Sequence, residues 1–284
     1  MVVATTDTMV EGIDFRLDWP GFDLRRLGRR LISINLSDLA GMGATARHAL
    51  ISLALRGETT VSDVRRLYQG IAERAHQYGC TVAGGDLSAT SGPLTLSATL
   101  VGSVPSPASL LRRRGGRAGW LIAVTGTLGA AAAGLRILES RRPAATPAQR
   151  SWVKAQLDPT PQLEAGRLLV EAGVRIGGDI SDGLYREAER ITQPDRLGAS
   201  IQVDRLPLAP GLSPSDWRLA VRDSEDFELI AAAPARILRY AQARLERQAL
   251  RLTVIGTIER RPGIRLRDGD RAVTLAEGGY EHFR

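Results

Sequence analysis

The sequence predicts an α/β (α+β) fold in two domains, an N-terminal sheet with helices followed by a C-terminal α/β domain. Three observations carry this expectation. Strand-like and helix-like segments alternate from one end of the chain to the other. The stretch "PSPASLLRRRGGRAG" breaks the apolar pattern near residue 110, which divides the chain into 1–110 and 111–284. At 284 residues and 43% hydrophobic composition there is material for two cores of ordinary size.

The elements follow in order. "VVATTD" reads as a strand, and "DLRRLGRRLISINLSDLAGMG" has apolar residues at helical spacing and ends at glycines. "HALISLAL" and "PLTLSATLVGSV" are strands. Between them "VSDVRRLYQGIAERAHQYG" is an amphipathic helix, with Ser62 as its expected N-cap, that feeds the short strand "CTVAGGD". Beyond the break, "WLIAVTG" is a strand and "TLGAAAAGLRILESRR" a helix. "RRPAATPAQR" is expected to be a loop, and "PTPQLEAGRLLVEAG" a helix entered through prolines. "VRIGGDISDGLYREAERI" reads as strand, turn and helix. "ASIQVDRLPL" and "DFELIAAAP" are strands, "ARILRYAQARLERQA" a helix, and "RLTVIGTIE", "IRLRD" and "RAVTL" short closing strands.

Composition narrows the function. No apolar run approaches the ~20 residues of a membrane span, and the first residues lack the basic and apolar regions of a secretory signal. Cys80 is the only cysteine, so no internal disulfide forms; a cytoplasmic location and a buried Cys80 are expected. The net charge of +7 and pI near 10.4 invite a nucleic-acid reading. Lys154 is the only lysine, however, and the 37 arginines are scattered beside acids with no basic–aromatic stacking platform, so a solvated arginine-rich surface is the better account. The lone lysine sits in "SWVKAQL", which excludes a P-loop.

Five acidic clusters share one context, an apolar segment ending in a small-residue turn that presents a carboxylate. They are "TTDT" with Asp7, "NLSDLAGMGA" with Asp38, "AGGDLS" with Asp86, "GGDISDGL" with Asp179 and Asp182, and "SEDFEL" with Glu225 and Asp226. Any one alone reads equally well as a turn or cap residue. Gly84-Gly85 and Gly177-Gly178 add backbone that is expected to take positive φ and approach a ligand closely. Carboxylates gathered at one place repel one another unless a cation lies between them. All-oxygen donors suit magnesium with substrate phosphates, whereas His48, His76 and His282 are too isolated for zinc. The residues therefore point to magnesium-dependent phosphate chemistry outside the P-loop class.

"TTDTMVEG", "INLSDLAGMGA", "VAGGDLSAT", "GGDISDGL", "SEDFELI" and the terminal "GGYEHF" stand in the order and approximate spacing of the bacterial thiamine-monophosphate kinases. The resemblance covers essentially the whole chain. It implies the two-domain aminoimidazole ribonucleotide synthetase-like fold, a homodimer whose N-terminal sheets meet, and nucleotide bound between the domains. It also implies ATP- and Mg2+-dependent phosphorylation of thiamine monophosphate to thiamine diphosphate by direct in-line transfer, with no catalytic side chain beyond positioning and charge stabilisation. By the same resemblance Thr5, Thr6, Asp7, Asp38, Asp86, Asp179 and Asp182 are metal ligands. Tyr68, Gly85, Asp86, Arg113 and Ser181 contact nucleotide, although Tyr68 reads equally as a helix-face core aromatic, and Arg112 and Arg114 flank Arg113. Asp14, Glu225 and Tyr280 fall on the substrate side.

Three departures accompany the match. The family has a Gly-Asp-Asp turn before the first strand, which this sequence does not show; its aspartate is expected to join the metal cluster. Asp14 stands where the family has a histidine or another ring, and Asp223-Ser224 replace a Gly-Gly pair. These leave two alternatives: another ATP-using enzyme of the superfamily with a different small substrate, or a non-catalytic nucleotide-binding relative. A nucleic-acid module is a distant third.

Overall fold

The computed structural model describes residues 1–222 and 224–275, so Asp223 and Tyr280 lie outside the described residues. Strand β1 (Val2–Val10) alternates in exposure. Val3, Thr5, Asp7 and Met9 turn toward the covered face of the sheet, while Val2, Ala4, Thr6 and Thr8 turn to the open one. It joins β2 (Thr45–Arg56), β3 (Thr81–Thr90) and β4 (Thr95–Ser103) in a sheet of order β1-β4-β2-β3, antiparallel except for the β2–β3 pair. Two helices cover one face, α1 (Leu24–Gly41) and α2 (Val61–Gln77). Asp23 caps α1 by accepting the Arg26 amide at 2.8 Å. The cap of α2 is Thr60, whose side chain forms a reciprocal box with Asp63; Ser62, the expected cap, is the second helical residue. Helices α1 and α2 cross at glycine, since a Cβ on Gly70 would stand 1.8 Å from the Arg25 carbonyl oxygen.

The second sheet has the order β11-β10-β7-β9-β5-β8-β6. Its strands are β5 (Leu121–Thr125), β6 (Ile176–Asp179), β7 (Gly198–Gln202), β8 (Leu229–Ala233), β9 (Leu252–Glu259), β10 (Gly263–Asp268) and β11 (Arg271–Val273). β8 is buried at all five positions because both faces of this sheet are covered. Ile230 and Ala232 pack with α6 (Leu184–Thr192) and α7 (Trp217–Val221). Leu229, Ala231 and Ala233 pack with α5 (Leu163–Glu171) and α8 (Ala235–Glu246). Helices α3 (Ala130–Glu139) and α4 (Pro147–Leu157) complete the set. The expected loop "RRPAATPAQR" already contains the start of α4, because Thr146 and Gln149 form a capping box around Pro147 at the first helical turn.

Helix α1 lies between the two sheets. Leu138 of α3 and Leu157 of α4 join the core that α1 shares with the first sheet, and Ala40 joins the core under α5 and α8. A Cβ on Gly41 would come within 2.7 Å of the Asp179 amide nitrogen, so the end of α1 abuts the end of β6. That contact sets Asp38 beside Asp179. Among the described residues no helix is long and apolar enough to cross a membrane.

Candidate active site

Where α1, β1 and the β6–α6 turn meet, a cavity of about 580 Å³ opens between the two sheets. Asp7, Asp38, Asp179 and Asp182 line it together with Ser181, Asp14 and Glu225. Arg16, Arg30, Arg113 and Arg190 are its cations, and Met9, Trp19, Ile34, Leu135 and Phe227 supply apolar wall. A smaller cavity of about 300 Å³ lies against Thr5, Gly177 and Gly178 and shares Asp38, Asp179 and Arg113.

Local structure accounts for each placement. Thr5 and Asp7 share the helix-facing side of β1, and the Thr5 hydroxyl donates to Asp38 of α1. The Ser37 hydroxyl donates to Asp179 at 2.9 Å inside the protein. Asp14 accepts the Val10 amide at 2.7 Å, which closes the turn after β1. Glu225 accepts from Arg30 at 2.7 Å and from Gln156 at 2.9 Å. Arg113 lines both cavities and passes beside Gly178, 3.6 Å from where a Cβ there would sit. Its neighbour Arg112 instead donates to the Pro107 carbonyl at 2.8 Å, which singles out Arg113.

The electrostatics match a site built for positive charge. Burial, then the charge and hydrogen bond of Asp38, then Asp182 and Glu225, push the Asp7 carboxyl up to about 7. Burial, then Asp38 and Glu187, push Asp179 up to about 8 against the opposing Ser37 hydroxyl and Arg113. Asp38 within hydrogen-bonding reach thus favours the neutral form of Asp7 in a place where a divalent cation would favour the charged one. Among the described residues no three acidic, histidine or cysteine side chains form a ready-made metal shell. Asp182 is drawn aside by Arg190 and Asp179 by Ser37. The all-oxygen donor set still fits magnesium, which characteristically takes one or two carboxylates and completes its shell with water and phosphate oxygens.

Several expected residues lie elsewhere. The Thr6 side chain turns to the open face, where it donates to the Ala98 carbonyl at 3.2 Å and accepts from Thr99 at 3.0 Å. Gly85 and Asp86 sit on the exposed edge strand β3 and line neither cavity. Asp86 there accepts from Ser88 at 3.1 Å. Tyr68 lines neither cavity and packs, partly buried, on the core of the first sheet. The glycine pairs at 84–85 and 177–178 do not take positive φ, contrary to expectation, because all four lie inside strands. Two of them are required by neighbouring backbone. A Cβ on Gly85 would be 1.8 Å from the Ile51 carbonyl oxygen, and one on Gly177 would be 2.6 Å from that of Ile230. Asp226 turns away from its neighbour Glu225 to cap α3, accepting amides of Gly129 at 2.7 Å and Ala131 at 3.2 Å.

Sequence reasoning missed Arg30, Glu187 and Arg190. Arg30 carries a readable signal: Arg30, Ile34 and Asp38 recur every fourth residue on one stripe of α1, and all three line the cavity.

Residues 1–104 match the family described as AIR synthase related protein, N-terminal domain. The chain is 36% identical to the thiamine-monophosphate kinase of Synechococcus elongatus over 99% of its own length and 86% of that protein. It is 32% identical to the thiamine-monophosphate kinase of Escherichia coli, with 98% and 86% covered. Its fold is similar to the crystal structure of thiamine-monophosphate kinase from Stenotrophomonas maltophilia, with TM-score 0.85 and 30% identity over 94% of this chain and 85% of that one. A second solved structure, "AaThiL complexed with AMPPCP and TMP", superposes with TM-score 0.84 at 28% identity, covering 99% and 87%.

Proposed function

Because the chain belongs to the thiamine-monophosphate kinase family, we propose that it uses ATP to phosphorylate thiamine monophosphate to thiamine diphosphate. The observation that carries this reading is the cavity itself, where Asp7, Asp38, Asp179 and Asp182 face Arg113 and Arg190 beside an apolar wall. A phosphate oxygen of the acceptor attacks the γ-phosphorus of ATP, the bond to the bridging oxygen breaks, and ADP leaves. Both reactants are anions, so the chief task is to hold them in line and offset their repulsion.

Asp7, Asp38, Asp179 and Asp182 are the residues that would hold Mg2+, with the Thr5 hydroxyl orienting Asp38. The cation supplies neutralisation of the phosphate oxygens when bound. Arg113 offers its planar fork to phosphate, and Ser181 lies beside it in the same cavity. Glu225, held by Arg30 and Gln156, and Asp14 face the organic part of the acceptor across Trp19 and Phe227. Residues 1–110 and 111–284 act as the two domains that enclose the reactants.

The open face of the first sheet supports a homodimer. Val2 and Leu50 are 71% and 46% exposed there, an apolar surface that a second copy would cover. In that assembly Gly85, Asp86 and Tyr68 serve the partner's site. The location is cytoplasmic in the same reading.

The test is formation of thiamine diphosphate from ATP and thiamine monophosphate by the purified chain, resolved by chromatography, with and without Mg2+. Product that requires both substrates and the cation is expected. Binding of the ATP analogue AMPPCP without any product would overturn the kinase in favour of a nucleotide-binding relative.

A further inference from the structure

Arg190 is the cavity residue with the most unusual surroundings. It projects from α6, and one guanidinium nitrogen donates to Asp182 at 2.5 Å while the other donates to Glu187. Glu187 is 0% exposed, and its second carboxylate oxygen has no hydrogen-bond partner. Arg113 stands 3.6 Å from that second oxygen. A single buried carboxylate thus carries a guanidinium on each side, and both guanidinium groups line the cavity of the four aspartates. An arginine needed only to neutralise Glu187 would not also have to reach Asp182 in the cavity. Burying a charge is costly unless it is paired, so the arrangement holds two cations close together at the site in spite of their repulsion.

We propose that Arg190 is a second phosphate-binding arginine of this site and that Glu187 is the positioning residue that holds it. With the aspartates occupied by a cation, Asp182 no longer needs Arg190. The guanidinium then faces phosphate oxygens with its paired donors while Glu187 keeps its stem in place. This inference rests on the phosphate-transfer reading of the site. Its test is a binding measurement, so it stands or falls separately from turnover.

Titration calorimetry with Mg2+ and AMPPCP, and separately with thiamine monophosphate, identifies which phosphate Arg190 serves. Arg190→Met is expected to weaken at least one of the two ligands by about tenfold or more, the range of a lost charge-assisted hydrogen bond. Arg190→Lys should restore part of that affinity and serves as the folded reference if the methionine variant is unstable. Wild-type affinity for both ligands in both variants would overturn the proposal.

Manganese alone, followed by electron paramagnetic resonance on the nucleotide-free protein, separates this role from upkeep of the metal site. Arg190→Met should bind manganese as well as the parent or better, since Arg190 competes for Asp182. A tenfold loss would overturn the proposal. Glu187→Gln keeps the shape and removes the charge; with Arg190→Met its effect on ligand affinity should be less than additive. Strictly additive effects would sink the positioning role of Glu187.

Discussion

Asp7 and Gly85 stand in one cross-strand row of the first sheet, joined through Ala98 and Ile51 and separated by three strand spacings. At ~4.8 Å per spacing that is about 14 Å, too far for Asp86, the next residue, to share a cation with Asp7 in one protomer. If sites are completed across the dimer, Asp7→Asn and Asp86→Asn should complement each other. Each variant alone should be nearly inactive. Dissociating and reassociating an equal mixture should restore about a quarter of the parent rate, because half of the random dimers would carry one intact site. A mixture no more active than its separate components would show that Asp86 does not complete a partner's site.

The same arrangement makes Leu50 a test of assembly. It is 46% exposed on the open face of β2, and its side chain lies 3.7 Å from where a Cβ on Gly84 would sit. Leu50→Arg places a charge in any apolar interface formed there; if the proposed dimer forms through this face, sedimentation equilibrium should show the parent as a dimer and the variant as a folded monomer. A dimer of unchanged affinity would move the interface to another surface.

Arg30 ties the two halves of the site. It is 1% exposed and donates to the Gln156 carbonyl and to Glu225, with its guanidinium 5.9 Å from the centre of the Phe227 ring. Arg30→Met leaves that carbonyl without its partner, and a loss of about 2 kcal/mol in urea unfolding is expected. Arg30→Lys should recover part of it, and weaker binding of thiamine monophosphate should accompany the loss. Unchanged stability in Arg30→Met would make the buried contacts energetically idle.

Gly70 offers a purely structural check. Its α-carbon faces the Arg25 carbonyl so closely that a methyl group would stand 1.8 Å from the oxygen. Gly70→Ala must push α1 and α2 apart, and a thermal or urea midpoint corresponding to about 1–3 kcal/mol of destabilisation is expected. Alanine usually stabilises a helix relative to glycine, so a gain in stability would contradict the close crossing.

What was legible in the sequence follows from how local each signal is. The strand that carries "TTD", the strand that ends in "GGD" at Asp179 and the capped, apolar-striped α1 declare themselves within a few residues, and Asp7, Asp38, Asp179 and Asp182 do line one cavity, although β1 runs on past Asp7 to Val10. Strand order is not local. Nothing in "VAGGDLS" says that β3 would lie at the far edge from β1 and leave Asp86 outside the shared cavity. Helix α4 was hidden because its cap, Thr146, sits in an alanine- and proline-rich stretch that resembles a loop. Arg30 and Arg190 were hidden by abundance: among 37 arginines these two look like the rest until burial and partners are known. Asp226 shows the converse, an acid beside Glu225 whose role as a helix cap depends on Gly129 and Ala131, which are distant in sequence.

Asp7 also links the site to stability. Its carboxyl lies near 7 in the folded chain against an ordinary value of 3.8, raised first by burial and then by Asp38. Between pH ~4 and ~7 the folded chain therefore keeps a proton that the unfolded chain has released. Stability falls as pH rises through that window, and the deficit is complete above about 7. Asp7→Asn removes this contribution. In the absence of nucleotide and divalent cations its melting temperature should exceed the parent's at pH 8, and the advantage should shrink to nothing as pH falls toward 4. Adding Mg2+ at pH 8 should raise the parent's melting temperature more than the variant's, because a bound cation favours the charged acids over their neutral forms. A difference in melting temperature that is flat from pH 4 to 8, or an equal response to Mg2+, would mean that Asp7 neither holds its proton unusually tightly nor contributes to cation binding.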